Sequence, residues 1–134
     1  MDRARLPPGL ADATLRERPM SKPVGPYTPI VRAGDWLVVS GQIGAVEGKL
    51  VEGGMREQLS QVLKNLRGLL EGEGSSLDQV VKCTVFLTHM SDFAAMNEIY
   101  MHAFGDHRPA RSAIAVKELP LGALIEIEAW AYTA

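Results

Sequence analysis

The strongest pattern in the chain is helical. Met55, Leu59, Val62, Leu63, Leu66, Leu69 and Leu70 recur at offsets 0, 4, 7, 8, 11, 14 and 15, one stripe of a 3.6-residue period. Arg56, Glu57, Gln61, Lys64 and Arg67 lie largely off it. Residues 55–70 therefore predict an amphipathic helix, stopped by Gly72 and Gly74. A second helix is predicted from the capping candidates Ser91 and Asp92 to about Phe104, with Phe93, Met96, Tyr100, Ala103 and Phe104 as its stripe. Asn97 sits one position off that stripe, and Gly105, Asp106 and Pro109 end the helix.

Elsewhere the pattern is that of strands. Residues 28–33 and 36–40 flank Gly34-Asp35 and predict a hairpin. The second run is nearly all apolar, which fits a strand covered on both faces, and Gly41 to Gly44 end it. Gly48 and Gly53-Gly54 bound a loop with room for a short extended piece. Residues 78–87 predict a strand with Val81, Cys83, Val85 and Leu87 on one face. Two terminal strands, 111–116 and 125–131, are joined by a loop around Pro120 and Gly122. Residues 1–12 show no period and read as a flexible N-terminal extension; a short strand at 13–18 and a proline-rich connector at 19–26 lead to Tyr27.

This order of elements predicts an α+β fold, a mixed sheet with two helices on one face, in a single domain over residues 13–134. Two helices cover one sheet face only. Thr84, Phe86, Glu126, Glu128 and Trp130 fall on the other, and Trp36 and Trp130 exposed together would be unusual for a monomer. A homo-oligomer that packs sheet faces together is the expectation.

Composition narrows the function classes. A net charge of −2 and the lack of any lysine-arginine run argue against a nucleic-acid partner. Cys83 is the only cysteine, so an intrachain disulfide is impossible and nothing points to secretion. No apolar run approaches the roughly 20 residues that span a bilayer. The charged, proline-containing start lacks a signal-peptide pattern, so a cytoplasmic setting without membrane contact is expected. His89, His102 and His107 lack metal-ligand spacing, and neither a phosphate-cradling glycine loop nor a Gly-x-Ser-x-Gly elbow occurs. No metal and no cofactor are expected, and Cys83 reads as a buried core thiol.

Two charges stand out against this background. Arg111 opens one apolar strand and Glu126 opens the next. Burying a charge costs several kcal/mol unless it is paired or used. Ala110, Ser112 and Ala113 leave room beside Arg111, whose guanidinium fork matches a carboxylate in two-point geometry. An arginine paired with an acid at a sheet edge fits the same position, and a solvent-facing strand residue fits Glu126. In a simple hairpin of the last two strands the two charges would sit on the order of 15–20 Å apart. To cooperate they need another strand pairing or two chains. Tyr27, on a rigid Gly25-Pro26 lead-in, can donate a phenolic hydrogen bond, and Ser40-Gly41 offers a hydroxyl and closely approachable backbone.

The residues also resemble a known family. Val24-Gly25-Pro26-Tyr27 and Val39-Ser40-Gly41-Gln42-Ile43 are similar to the N-terminal signature of the RidA (YjgF/YER057c/UK114) family. Residues 81–87, Asp92-Phe93 and Met96 to Tyr100 resemble its middle; Pro109-Ala110-Arg111-Ser112, Leu119-Pro120 and Ile125 to Ala129 resemble its C-terminal hallmark. The resemblance spans about residues 15–132. It implies a chorismate-mutase-like α+β fold, related to the ferredoxin-like folds, and a homotrimer with a central barrel and pockets between subunits. It implies hydrolytic deamination of reactive enamines and imines (2-aminoacrylate, 2-iminopropanoate, 2-iminobutanoate) to 2-oxo acids and ammonia, without a cofactor. Carried over by position, Arg111 would clamp the substrate carboxylate, Glu126 would position or activate water, and Tyr27, Ser40, Gly41 and Asn97 would line the pocket. Ala113 stands where many members have cysteine; its backbone could still contact the imine nitrogen or the water. Other readings are a non-catalytic module that binds 2-oxo acids, a deaminase for another substrate such as 2-aminomuconate, and the RNA-cleaving or chaperone-like roles reported in the family.

Overall fold

Strand pairing decides where the charged residues go. The computed structural model describes residues 25–133. The expected extension at 1–12, the strand at 13–18 and most of the connector at 19–26 lie outside them. The described elements are β1 (Ile30–Ala33), β2 (Trp36–Ile43), β3 (Ala45–Val46), β4 (Lys49–Leu50), α1 (Met55–Gly72), β5 (Val80–Leu87), α2 (Phe93–Phe104), β6 (Ala110–Ala115) and β7 (Ile125–Tyr132). Short 3₁₀ turns at Leu77–Gln79, Met90–Asp92 and Pro120–Gly122 lead into β5, α2 and β7.

The main sheet has five strands in the order β1-β2-β7-β5-β6. Only β5 and β6 run parallel, as expected for strands joined through a crossover helix. The last two strands are therefore not a hairpin: β5 lies between them. Composition explains the choice. β7 presents Ile125, Ile127, Ala129 and Ala131, all buried, and suits the centre of the sheet. β6 has exposed Ala110, Ser112 and Ala115 and suits an edge.

The α1 stripe forms as the periodicity predicts: its seven apolar residues are all buried. They join Met96, Tyr100 and Phe104 of α2 and alternate residues of β2, β5 and β7 in one core. Burial of this kind contributes about 25 cal/mol per Å² of apolar surface. Two polar residues of α1 are buried with it. Gln58 Oε1 accepts from the Leu124 backbone N–H at 2.8 Å, and Asn65 Nδ2 donates to the carbonyls of Ile43 at 3.2 Å and Ala45 at 3.0 Å. These amides tie the end of β2 and the segment before β7 to the helix. Gly44 allows the close approach, since a Cβ there would lie 2.6 Å from the Gln58 Cα.

Three local expectations change. β2 does not end at Ser40 but runs to Ile43, with a register shift against β7 between Val39 and Gln42. It is covered on one face only within the chain: Leu37 and Val39 are buried, whereas Trp36 is exposed. On β5 a register shift between Val80 and Lys82 puts Val80 into the core and leaves Val81 exposed. The open face of the sheet carries Trp36, Trp130 and Tyr132 as an exposed aromatic cluster, with ring centroids 6.0 Å apart for Trp36–Trp130 and 4.9 Å for Trp36–Tyr132.

Candidate active site

Arg111 pairs in register with Cys83, and Cys83 with Ala129; both of these neighbours are fully buried. Residues in register share a face, so Arg111 projects on the helix-covered side. There α2 receives it. Arg111 Nη1 donates to Asn97 Oδ1 at 2.8 Å and lies 3.8 Å from Met96 Sδ. The guanidinium carbon sits 4.8 Å from the Tyr100 ring centroid and 5.6 Å from that of Phe93. Such cation–π contacts contribute roughly 0.5–2 kcal/mol each and fix the plane of the fork. Among the described residues no carboxylate pairs with Arg111, and both of its hydrogen bonds use Nη1. Arg111 lines a cavity of about 450 Å³ together with Asn97, Tyr100, Met101, Arg108 and Pro109. A guanidinium in such a setting matches an anion in two-point geometry.

Glu126 pairs in register with Phe86, between the buried residues Val85 and Leu87, and so projects on the open face. Its carboxylate lies against Gly41, where any Cβ would collide with it. The β2 register shift takes Ser40 and Gly41 out of the ladder with β7 at this point. Tyr27, Ser40, Gly41, Pro120, Glu126 and Glu128 line a second cavity of about 340 Å³. Ser40 Oγ donates to the Thr28 carbonyl at 2.7 Å, which commits its proton and leaves its lone pairs to accept from a ligand. Burial pushes the Glu126 carboxyl above the ordinary carboxylate range, and the Glu128 charge adds in the same direction. No hydrogen bond within the described residues holds the carboxyl in its charged form. A carboxyl of this kind exchanges a proton more readily near neutral pH than an exposed one.

The structure thus gathers Asn97 with Arg111, and Tyr27, Ser40 and Gly41 with Glu126, but keeps the two groups apart. Three residues along the strands and two strand spacings put the Arg111 and Glu126 Cα atoms roughly 14 Å apart, with side chains on opposite faces. The two cavities share no lining residue. Ala113 lines neither and packs, partly buried, against the core. Sequence reasoning missed Phe93, Met96 and Tyr100 as supports of Arg111 because their periodicity assigns them to the core. The available signal was spacing: Met96 precedes Asn97 directly, and Tyr100 follows it by almost one helical turn.

A family model described as Endoribonuclease L-PSP matches residues 17–133. A RutC family protein of Pyrococcus horikoshii is 48% identical over 113 residues, 83% of this chain and 90% of that protein. A mouse protein named 2-iminobutanoate/2-iminopropanoate deaminase is 44% identical over 108 residues, covering 79% of this chain and 80% of its own length. Among solved structures, E. coli TdcF with bound serine superposes with a TM-score of 0.82 at 31% identity, covering 89% of this chain and 97% of that one. The matched residues include both half-sites, and the chain belongs to the Endoribonuclease L-PSP family, which is the YjgF/RidA family.

Proposed function

We propose that the protein is a hydrolase that deaminates reactive enamine and imine intermediates, 2-aminoacrylate, 2-iminopropanoate and 2-iminobutanoate, to 2-oxo acids and ammonia. The observation that carries this reading is Arg111: an oriented guanidinium without a carboxylate partner among the described residues, lining a cavity. The mouse relative's name supports the reaction, and serine bound to the E. coli relative supports a small carboxylate-bearing ligand.

The two half-sites of one chain work together only if they come from different protomers. We assign them to a closed homotrimer packed through the open sheet face, whose exposed aromatic cluster favours burial. Arg111 of one subunit then binds the substrate carboxylate bidentately, with Asn97 and the Tyr100 ring holding the fork. Glu126 of its neighbour meets the imine carbon with a water. Ser40 Oγ accepts the imine N–H, and Tyr27 lines the same wall. The Glu126 carboxylate takes a proton from water as oxygen bonds to the carbon and hands it to nitrogen; as the C–N bond breaks and the carbonyl forms, it takes the remaining hydroxyl proton, which leaves with the ammonia as ammonium. One water is consumed, ammonia leaves and no electrons are exchanged. A protonated imine is already electrophilic, so positioning and one proton shuttle suffice.

The test is oxo-acid release from a dehydratase that generates 2-aminoacrylate or its four-carbon homologue. Acceleration by the wild type, lost in Arg111→Ala and largely lost in Arg111→Lys, is the expected result. No acceleration, or full activity in Arg111→Ala, sinks the reading. Glu126→Ala that keeps ligand affinity but loses turnover separates an enzyme from a binding module. Mixing Arg111→Ala and Glu126→Ala subunits by refolding should restore about a quarter of the sites, because random assembly of a cyclic trimer joins an intact Arg111 to an intact Glu126 that often. Turnover of a panel of imines, with 2-aminomuconate included, ranks the substrates.

A further inference from the structure

The cavity that Arg111 lines is lined by a second arginine. Arg108 lies three residues earlier, in the turn between α2 and β6, and lines the same space. Its Nη1 donates to the carbonyls of Gly105 and His107, the latter at 2.9 Å. These bonds anchor the side chain and use only one of its nitrogens. Gly105 at φ +64° turns the chain back after α2, and a His107 ring nitrogen lies 2.7 Å from the Val80 carbonyl, so the turn that carries Arg108 is itself tied to β5. Among the described residues the ion pairs are Arg32–Glu73 and Arg56–Glu98; neither Arg108 nor Arg111 has an acidic partner.

Two like charges on one cavity, without a counter-charge among the described residues, repel each other until an anion arrives. A monocarboxylate answers one of them. A dicarboxylate answers both, and the backbone separation of three residues, at most about 10 Å, suits a short carbon chain between two carboxylates. The wall between the two arginines is apolar, formed by Met101 and Pro109, and matches the methylenes of such a chain.

We propose that Arg108 determines substrate specificity, selecting 2-imino dicarboxylates of four or five carbons, with Arg111 on the carboxylate next to the imine and Arg108 on the distal one. The proposal rests on the deaminase reading for its chemistry, but its binding component can be tested without turnover. Calorimetry with the product-type ligands 2-oxoglutarate and 2-oxobutanoate reads the preference directly. The wild type should bind 2-oxoglutarate at least tenfold more tightly than 2-oxobutanoate. Arg108→Gln should abolish that preference, and Arg108→Lys should keep part of it, which separates lost charge from lost folding. Equal affinities in the wild type, or a preference that survives Arg108→Gln, overturn the proposal.

The second arm measures kcat/KM on imines generated by an amino-acid oxidase from glutamate and from 2-aminobutyrate. The ratio of the two should fall at least tenfold in Arg108→Gln, mainly through KM; an unchanged ratio overturns the proposal. A dicarboxylate binding preference that depends on Arg108, together with no turnover of either imine by the wild type, supports the two-arginine site and overturns the deaminase reading alone.

Discussion

Gly41 and Glu126 are in direct apposition: a Cβ on residue 41 would lie 2.8 Å from the Glu126 carboxyl carbon. The absent side chain of one residue is therefore the space occupied by the carboxyl of the other. Gly41→Ala should fold, because the displaced atoms belong to the end of a flexible side chain, but it should move the carboxyl off its position. A shift of that order costs about 10²-fold in turnover. Affinity for 2-oxobutanoate, if Arg111 on the other half-site binds its carboxylate as proposed, should change by no more than about threefold. Steady-state kinetics and calorimetry on one preparation check both; unchanged kcat would separate Glu126 from the chemistry.

Glu126 also has a stability signature. Burial and the charge of Glu128 raise its folded pKa above the ordinary value of 4.5. The folded state thus favours the protonated form. Its contribution to stability is full below pH 4.5 and is lost as pH rises through the folded value. Glu126→Gln, which keeps the shape and removes the charge, should melt at a higher temperature than the wild type at pH 7–8. The gap should close as the pH falls toward 4.5. Thermal melts from pH 4 to 8 at fixed protein concentration measure this, and a gap independent of pH would contradict it.

Tyr100 supports Arg111 through its ring rather than its hydroxyl. The hydroxyl is buried beside the Cys83 thiol and finds no hydrogen bond of normal geometry among the described residues. Burial raises the pKa of both groups, so neither ionises near neutrality. Tyr100→Phe should change stability by less than about 1 kcal/mol, since it removes a buried donor that lacks a partner. Tyr100→Leu removes the surface under the guanidinium, and KM for a carboxylate substrate should rise about tenfold, in line with the loss of a desolvated cation–π contact. Rescue by phenylalanine distinguishes positioning of the fork from loss of packing.

Asn65 holds the Ile43 end of β2 in place, two residues beyond Gly41. Its amide serves the Ile43 and Ala45 carbonyls, and Gln61 Nε2 in turn donates to Asn65 Oδ1 at 2.8 Å. Asn65→Ala should cost about 2–3 kcal/mol, because it removes two hydrogen bonds, the one to Ile43 buried. Urea unfolding with an unchanged m-value would confirm a loss of native-state bonding.

Elements with a strong local period are legible in the chain alone. The α1 stripe, the strand at β5 and the exposed Trp36 and Trp130 all follow from alternation and spacing. Arg111 and Glu126 stand out as charges that open apolar strands, and the family follows from short motifs. Less legible are features that depend on one extra residue or on a distant neighbour. The register shift at Val39–Gln42 carries β2 past Gly41, where glycine chemistry alone would end the strand, and the shift at Val80–Lys82 reverses the facing of Val81. Phe93 and Tyr100 have the composition of a core stripe, so their contact with a charge shows only when β6 is placed beside α2.

By itself the sequence determined which segments become helix or strand and which residues carry charge where charge is costly, because those properties are set by neighbours within about four positions. It also showed that Arg111 and Glu126 could not meet across a simple hairpin. Only the tertiary structure decided how they are separated. β7 enters the sheet between β2 and β5, and β6 is left on the edge. That pairing is a competition among strands far apart in the chain for the apolar centre of one sheet. Its outcome puts Arg111 under α2 and Glu126 against Gly41, on opposite faces.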